Sequence, residues 1–160
     1  MTIQVKGLRK KYFNKEAVKG VDFTIEPESI IGLLGRNGAG KSTVLNMIAR
    51  RIEKTSGDIT LDGVGLHKTP RAMHQVYLSS TENWFPKEYK FKDLLSIYKR
   101  TYPEFDSEFA EELIKVFGVN VKERFSKAST GYQSIMKIIL ALCNPSEYIF
   151  MDEPVLGLDA

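Results

Sequence analysis

The sequence predicts an α/β fold organised around a phosphate-binding loop, with an antiparallel β flap before the loop and a helical insert after it. Three observations carry this. Gly35-Arg36-Asn37-Gly38-Ala39-Gly40-Lys41-Ser42 fits the pattern G-x-x-x-x-G-K-[ST]. The apolar run Ile30-Ile31-Gly32-Leu33-Leu34 comes before it and Val44, Leu45, Met47 and Ile48 follow at helical spacing, so the loop is expected between a buried strand and a helix. A second buried-strand run, Tyr148-Ile149-Phe150-Met151, delivers Asp152 and Glu153 at its end, and Pro154 then breaks it.

The loop explains its own residues. Gly35, Gly38 and Gly40 let the backbone curl so that N–H groups point inward at phosphate oxygens. A helix starting near Lys41 adds its positive dipole end and unpaired N–H groups. Lys41 would reach the β- and γ-phosphates, the Ser42 hydroxyl would hold Mg²⁺, and Thr43 would support the phosphates. The other reading of the stretch is a glycine-rich turn ahead of an ordinary helix.

The chain has 160 residues, enough for one domain with a sizeable core. A net charge of +3 does not by itself argue for nucleic acid. Cys143 is the only cysteine, which excludes an intrachain disulfide and points to a reducing compartment. It follows Leu140-Ala141-Leu142 and is expected to pack at a helix end. The N-terminus carries no signal-peptide pattern and no apolar run approaches the length of a membrane span. We expect a soluble chain, or one peripheral to a membrane through a partner.

In order, Ile3–Leu8 and Val21–Ile25 alternate and read as strands. Between them, Arg9 to Lys15 is expected as a basic loop carrying Tyr12 and Phe13; an aromatic there could stack on an adenine ring, or pack at a strand end. Gly57–Leu61 is a short strand closed by an Asp62-Gly63 turn. Arg71–His74 reads as a helical turn and Gln75–Leu78 as a strand. His67 and His74 lack partners at metal-ligand spacing and are read as surface or packing residues. A polar loop from Ser79 to Pro86 carries Trp84 and Phe85, which we take as docking candidates because they lie in a loop.

Helices follow. Phe91–Tyr102 is one; a second is capped by Asp106 or Ser107 and ended by Gly118; a third, Tyr132–Leu142, is opened by Ser129-Thr130-Gly131 and stopped by Asn144-Pro145. Phe91, Tyr98, Phe109 and Phe117 are expected in the core. The division expected is a nucleotide-binding core of residues 1–82 and 144–160, with a helical subdomain of residues 83–143, in a single domain of residues 1–160.

Two acids at the end of an apolar run need an explanation, because unpaired carboxylates beside a core are costly. A bound metal and a water would supply one. Asp152 could hold Mg²⁺ through its water shell, and Glu153 could polarise the water that attacks the γ-phosphate. Either acid could instead cap a turn.

Taken together, the chain resembles the nucleotide-binding domain of ABC-type ATPases over essentially its whole length. Gly35 to Ser42 matches the Walker A loop, and Tyr148 to Glu153 matches Walker B with the catalytic glutamate. Gly157-Leu158-Asp159 matches the loop that contacts the partner subunit, Tyr12 falls at the adenine-stacking position, and Ser129-Thr130-Gly131-Tyr132-Gln133 falls at the signature sequence. The resemblance implies a P-loop NTPase core of ABC type that binds ATP and Mg²⁺. It implies a head-to-tail homodimer or heterodimer, with ATP between Walker A of one copy and the signature segment of the other. It further implies a separate transmembrane permease subunit and a peripheral position on the cytoplasmic face of the cell membrane; nucleic acid is not expected. The compact helical insert is more similar to exporter-type systems than to sugar importers.

The departures are specific. The usual signature begins Leu-Ser-Gly-Gly-Gln, and Ala128, Thr130 and Tyr132 stand at three of those five positions; Ser129 and Gly131 remain. A glutamine that normally follows the strand at Val76–Leu78 is replaced by Ser79-Ser80-Thr81-Glu82, in which Ser80 aligns best and Glu82 could substitute as the residue near Mg²⁺. The family's switch histidine lies beyond Asp159, so these residues are expected to be part of a longer chain. Two further readings stay open: a soluble ABC-family ATPase acting on ribosomes or DNA, and a nucleotide-binding module without turnover.

Overall fold

The computed structural model describes residues 1–66 and 74–158. They form two compact units, Met1–Val76 and Tyr77–Ala160.

In the first unit, β1 (Ile3–Tyr12), β2 (Lys15–Ile25), β3 (Ser56–Leu61) and β4 (Val64–Gly65) make an antiparallel sheet in the order β2-β1-β3-β4. Alternation buries Ile3 and Val5, and then the phase changes: Gly7, at φ 55°, forms a bulge that turns Leu8 inward as well. The bulge also fixes Gly57 opposite, where a Cβ would lie 2.3 Å from the Gly7 carbonyl oxygen. β3 and β4 are joined by Asp62 and Gly63, both at positive φ, as the Asp-Gly signal predicts. α1 (Lys41–Ile48) buries Val44, Leu45, Met47 and Ile48, the four residues expected from their spacing.

Two expectations in this unit are corrected. The basic segment Arg9–Lys15 is not a loop: β1 runs through to Tyr12 and pairs with Lys15, leaving only Phe13 and Asn14 as the turn. Cross-strand pairing extends it, with the Arg9 guanidinium 2.8 Å from the Glu16 carboxylate. Nor is Ile30–Leu34 a buried strand. It is irregular, and Ile30 and Leu34 are almost fully exposed. A strand needs a neighbour to complete its ladder. Among the described residues, β1 to β4 pair with one another and β5 with β6, so this run has neither a ladder nor a covering layer.

In the second unit, β5 (Val76–Ser79) and β6 (Tyr148–Met151) form a two-stranded sheet. The Asp152 N–H continues the pairing by donating to the Ser79 carbonyl at 2.9 Å. α2 (Phe91–Thr101), α3 (Ser107–Val116) and α4 (Thr130–Leu142) pack around Phe91, Leu94, Phe125, Met136, Ile139 and Leu140. Burying each of these large side chains contributes about 1.5–3 kcal/mol. The helix starts follow the sequence: the Asp106 carboxylate accepts from the Phe109 N–H (2.9 Å) and the Ser129 hydroxyl accepts from the Tyr132 N–H (3.2 Å). α3 stops before Gly118, which sits at φ 62°.

Of the aromatics expected in this core, Phe91 is buried and Tyr98 half-buried, with its hydroxyl 2.8 Å from that of Tyr77. Phe109 and Phe117 are corrected: they are 37% and 45% exposed. Ala110, the neighbour of Phe109, takes the inward position on α3, so Phe109 is turned to the rim of that apolar stripe. His74 is exposed and, with Gln75, helical, so the strand expected from Gln75 begins at Val76; His67 and Arg71–Met73 of the helical turn expected over Arg71–His74 lie outside the described residues. Among the described residues no helix is long and apolar enough to cross a membrane.

Candidate functional site

The phosphate-loop residues lie in the first unit. Gly38 and Gly40 have φ 80° and 93°, and Gly40 caps α1 in the left-handed region. Glycine is required at Gly40, because a Cβ there would come 2.5 Å from the Ala17 carbonyl oxygen. Between them, the Ala39 N–H donates to the Arg36 carbonyl at 3.1 Å, which closes the turn; Asn37 lies inside it, exposed. The Lys41 side chain folds back over the loop, and its Nζ donates to the carbonyl oxygens of Gly35 (2.7 Å) and Arg36 (3.1 Å).

A cavity of about 600 Å³ opens beside this loop, lined by Gly38–Lys41, by Lys15 to Lys19 of β2, and by Leu33 and Leu34. Lys15, Lys19 and Lys41 give that wall a positive potential. Ser42 is exposed and Thr43 half-buried on the first turn of α1. Such a set fits a polyphosphate: a cationic wall, a curled glycine backbone and a helix N-terminus. Tyr12 is 42% exposed at the hairpin end, with the Lys10 ammonium 4.8 Å from its ring centroid. It does not line this cavity.

The second unit gathers another group. A cavity of about 120 Å³ is lined by Ser80, Thr130, Gln133, Lys137, Asp152 and Glu153, among others. Asp152 is 9% exposed; Glu153 is exposed, with φ 50°. A non-glycine residue at positive φ costs on the order of 1 kcal/mol, so the turn that presents Glu153 is strained. Glu82 lies outside the lining and is exposed. Among the described residues no group of three or more His, Cys, Asp or Glu side chains could cage a metal.

The signature-position residues are held from within. Gly131 is buried against the Gly157 carbonyl, and the Tyr132 hydroxyl accepts from the Asn120 N–H. Leu158 follows at the surface; Asp159 lies outside the described residues. Trp84 is 74% exposed, whereas Phe85 packs edge-on against Phe125 with ring centroids 5.0 Å apart.

Residues 18–156 match the family described as "ABC transporter". The chain belongs to the ABC transporter family. Relatives bear this out. The ABC transporter ATP-binding protein YtrB of Bacillus subtilis is 35% identical over 158 residues, which is 99% of this chain and 54% of YtrB. The lipopolysaccharide export system ATP-binding protein LptB of Haemophilus influenzae is 31% identical over 166 residues, 98% of this chain and 69% of LptB. The linearmycin resistance ATP-binding protein LnrL of Bacillus subtilis is 31% identical, and the chain spans about half the length of YtrB and LnrL. A solved putative ABC transporter ATP-binding protein of Pyrococcus furiosus shares the fold, with a TM-score of 0.84 at 21% identity over 99% of this chain and 78% of its own. The α/β fold read from the sequence is therefore the ABC ATPase fold.

Sequence reasoning missed Lys137. The signal was present: one cation stands inside the apolar run Ile135–Leu142 of α4. Its Nζ donates to three successive carbonyls, Ser80 (2.8 Å), Thr81 (3.0 Å) and Glu82 (3.3 Å). Burial lowers its pKa from the ordinary 10.5.

Proposed function

We propose that this chain is the ATP-binding and ATP-hydrolysing part of a bacterial ABC system, powering transport of a substrate through a separate transmembrane subunit. The observation that carries the reading is the cradle at Gly35–Ser42, with the Lys41 ammonium folded over it beside a cationic cavity wall. In this reading the backbone amides of Gly35 to Thr43 and the Lys41 ammonium hold the β- and γ-phosphates, and Tyr12 stacks on the adenine ring. Ser42 and Asp152 hold Mg²⁺, with Ser80 or Glu82 as a further contact. The metal supplies charge neutralisation on the phosphate oxygens. Glu153 accepts a proton from the attacking water; its exposed position after β6 leaves the carboxylate free to meet one.

Ser129, Thr130, Gly131 and Tyr132 are assigned to the ATP of a second copy, and Gly157, Leu158 and Asp159 to contact with that copy, in a head-to-tail dimer. The names of the relatives, ATP-binding proteins of transport systems, support a permease partner and a place at the cytoplasmic face of the membrane. The compact insert favours the exporter type.

The test is nucleotide binding and phosphate release by the full-length protein, wild type against Lys41→Ala and Glu153→Gln. Binding weakened about tenfold or more in the first variant, with turnover alone lost in the second, supports the reading. A second reading, binding without turnover, is favoured by the absence of a glutamine at Ser79–Glu82. Tight ATP binding by wild type with no phosphate release would select it.

A further inference from the structure

We propose that Lys137 is a positioning residue that locks the loop Ser80–Asn83 onto α4, so that the segment carrying Ser80 and the helix opened by Ser129 move as one body. An ammonium has three N–H donors. Here all of them are taken, by the carbonyls of Ser80, Thr81 and Glu82. Lys137 therefore has no N–H left over for a ligand, and its work is done on the loop.

Other side chains of the same helix complete the latch. One turn earlier, the Gln133 Oε1 accepts from the Asn83 Nδ2 at 2.7 Å, while its Nε2 donates to the Ala128 carbonyl at 3.0 Å. The adjacent Ser134 hydroxyl donates to the Leu156 carbonyl at 2.8 Å. Four successive loop residues, Ser80 to Asn83, are thus tied to α4, and so is the segment after Glu153. Ser80, Asp152 and Glu153 line the same cavity, so α4 sets the spacing of both its edges.

The residue type matters. Three carbonyl oxygens turned toward one point repel one another unless a cation or several donors sit among them. Desolvating the ammonium is costly, and the three acceptors offset that cost. The latch itself needs no assumption about catalysis; its catalytic consequence rests on the proposed ATPase reading.

Trp84, the only tryptophan of these 160 residues, directly follows the latched loop, and it serves as the reporter once any tryptophan in the rest of the full-length protein is replaced by phenylalanine. The experiment compares wild type, Lys137→Met and Lys137→Arg in the full-length protein, by hydrogen exchange at residues 80–83 and by Trp84 fluorescence anisotropy. The methionine should speed exchange there about tenfold or more and lower the anisotropy, with exchange in β1 and β2 unchanged; arginine should restore most of the protection. Phosphate release should show kcat down about tenfold with KM for ATP within about twofold, again rescued by arginine. Circular dichroism checks the fold. If Lys137→Met loses its helix signal, Lys137→Gln, which keeps an N–H₂ donor, is read in its place.

Unchanged exchange at residues 80–83 in the methionine variant overturns the latch. Faster exchange with unchanged kcat overturns its role in positioning. If wild type does not turn over, the ATPase reading fails, and the exchange comparison alone decides the latch.

Discussion

The carbonyl oxygen of Gly157 packs so closely on Gly131 that a Cβ built at Gly131 would come within 2.1 Å of it. The contact is reciprocal: a Cβ at Gly157 would lie 2.9 Å from the Gly131 nitrogen and from the Thr130 Cβ. Gly131 sits in the first turn of α4, where helix propensity alone would favour alanine by about 1 kcal/mol. Gly131→Ala should nevertheless destabilise the protein by about 1–3 kcal/mol, the usual cost of overpacking. The measurement is the urea midpoint, with Gly118→Ala as the comparison. Gly118 has positive φ but open space around it, so its variant reports backbone strain alone. A Gly131→Ala midpoint at or above wild type would show that the two segments separate at no cost.

The Lys41 contacts make a prediction about binding. Its ammonium rests on the Gly35 and Arg36 carbonyls, which remain accessible to water. Lys41→Ala should therefore change stability by less than about 1 kcal/mol. Hydrogen bonds from a charged group to phosphate contribute roughly 1.5–3 kcal/mol. ATP affinity should fall about tenfold to a hundredfold, read by titration with a fluorescent ATP analogue. Equal affinity in the two proteins would remove Lys41 from the site.

Cys143 gives a pH prediction. Burial pushes its thiol up from the ordinary 9.0 to about 11, and the Asp106 carboxylate adds to the rise. The folded state therefore keeps its proton over a range where the unfolded state gives it up. The sign follows: this contribution to stability is fully present below pH 9 and is lost as pH rises toward 11. At pH 8 the thiolate fraction should be about a hundredfold below that of a free cysteine, and labelling by iodoacetamide correspondingly slow. Cys143 is the only cysteine of these 160 residues, so the label on its own peptide, read by mass spectrometry, reports it directly. Fast labelling of the native chain would contradict the burial.

How far the sequence was legible follows from the range of each interaction. Asp106 and Ser129 cap helices through bonds to residues three positions on, so local pattern found both starts. The Asp62-Gly63 turn and the strands beside it are local too. Ile30–Leu34 went wrong because strand propensity does not supply a ladder partner. The basic segment at Arg9–Tyr12 went wrong for the converse reason, since its pairing with Lys15–Lys19 overrides a polar composition that reads as loop. Within the candidate site, the loop at Gly35–Ser42 was legible from spacing alone. Lys137 was not, because its three acceptors lie more than fifty positions away in sequence.

Glu153 carries the last prediction, through its backbone as well as its charge. Its φ of 50° places a non-glycine residue in the left-handed region, directly after the buried Asp152. Glu153→Gln keeps the side-chain shape and the strain while removing the base. In the full-length protein, ATP affinity should stay within about twofold while phosphate release falls about a hundredfold or more, in the range expected for losing a general base. Glu153→Gly should also lose turnover, yet gain about 1 kcal/mol of stability as the strain is relieved. Thermal melts and single-turnover phosphate release distinguish the two effects. If both variants release phosphate at the wild-type rate, the carboxylate is not the base; if the glycine variant is no more stable, the strained turn is compensated by its neighbours and the positive φ has no functional meaning.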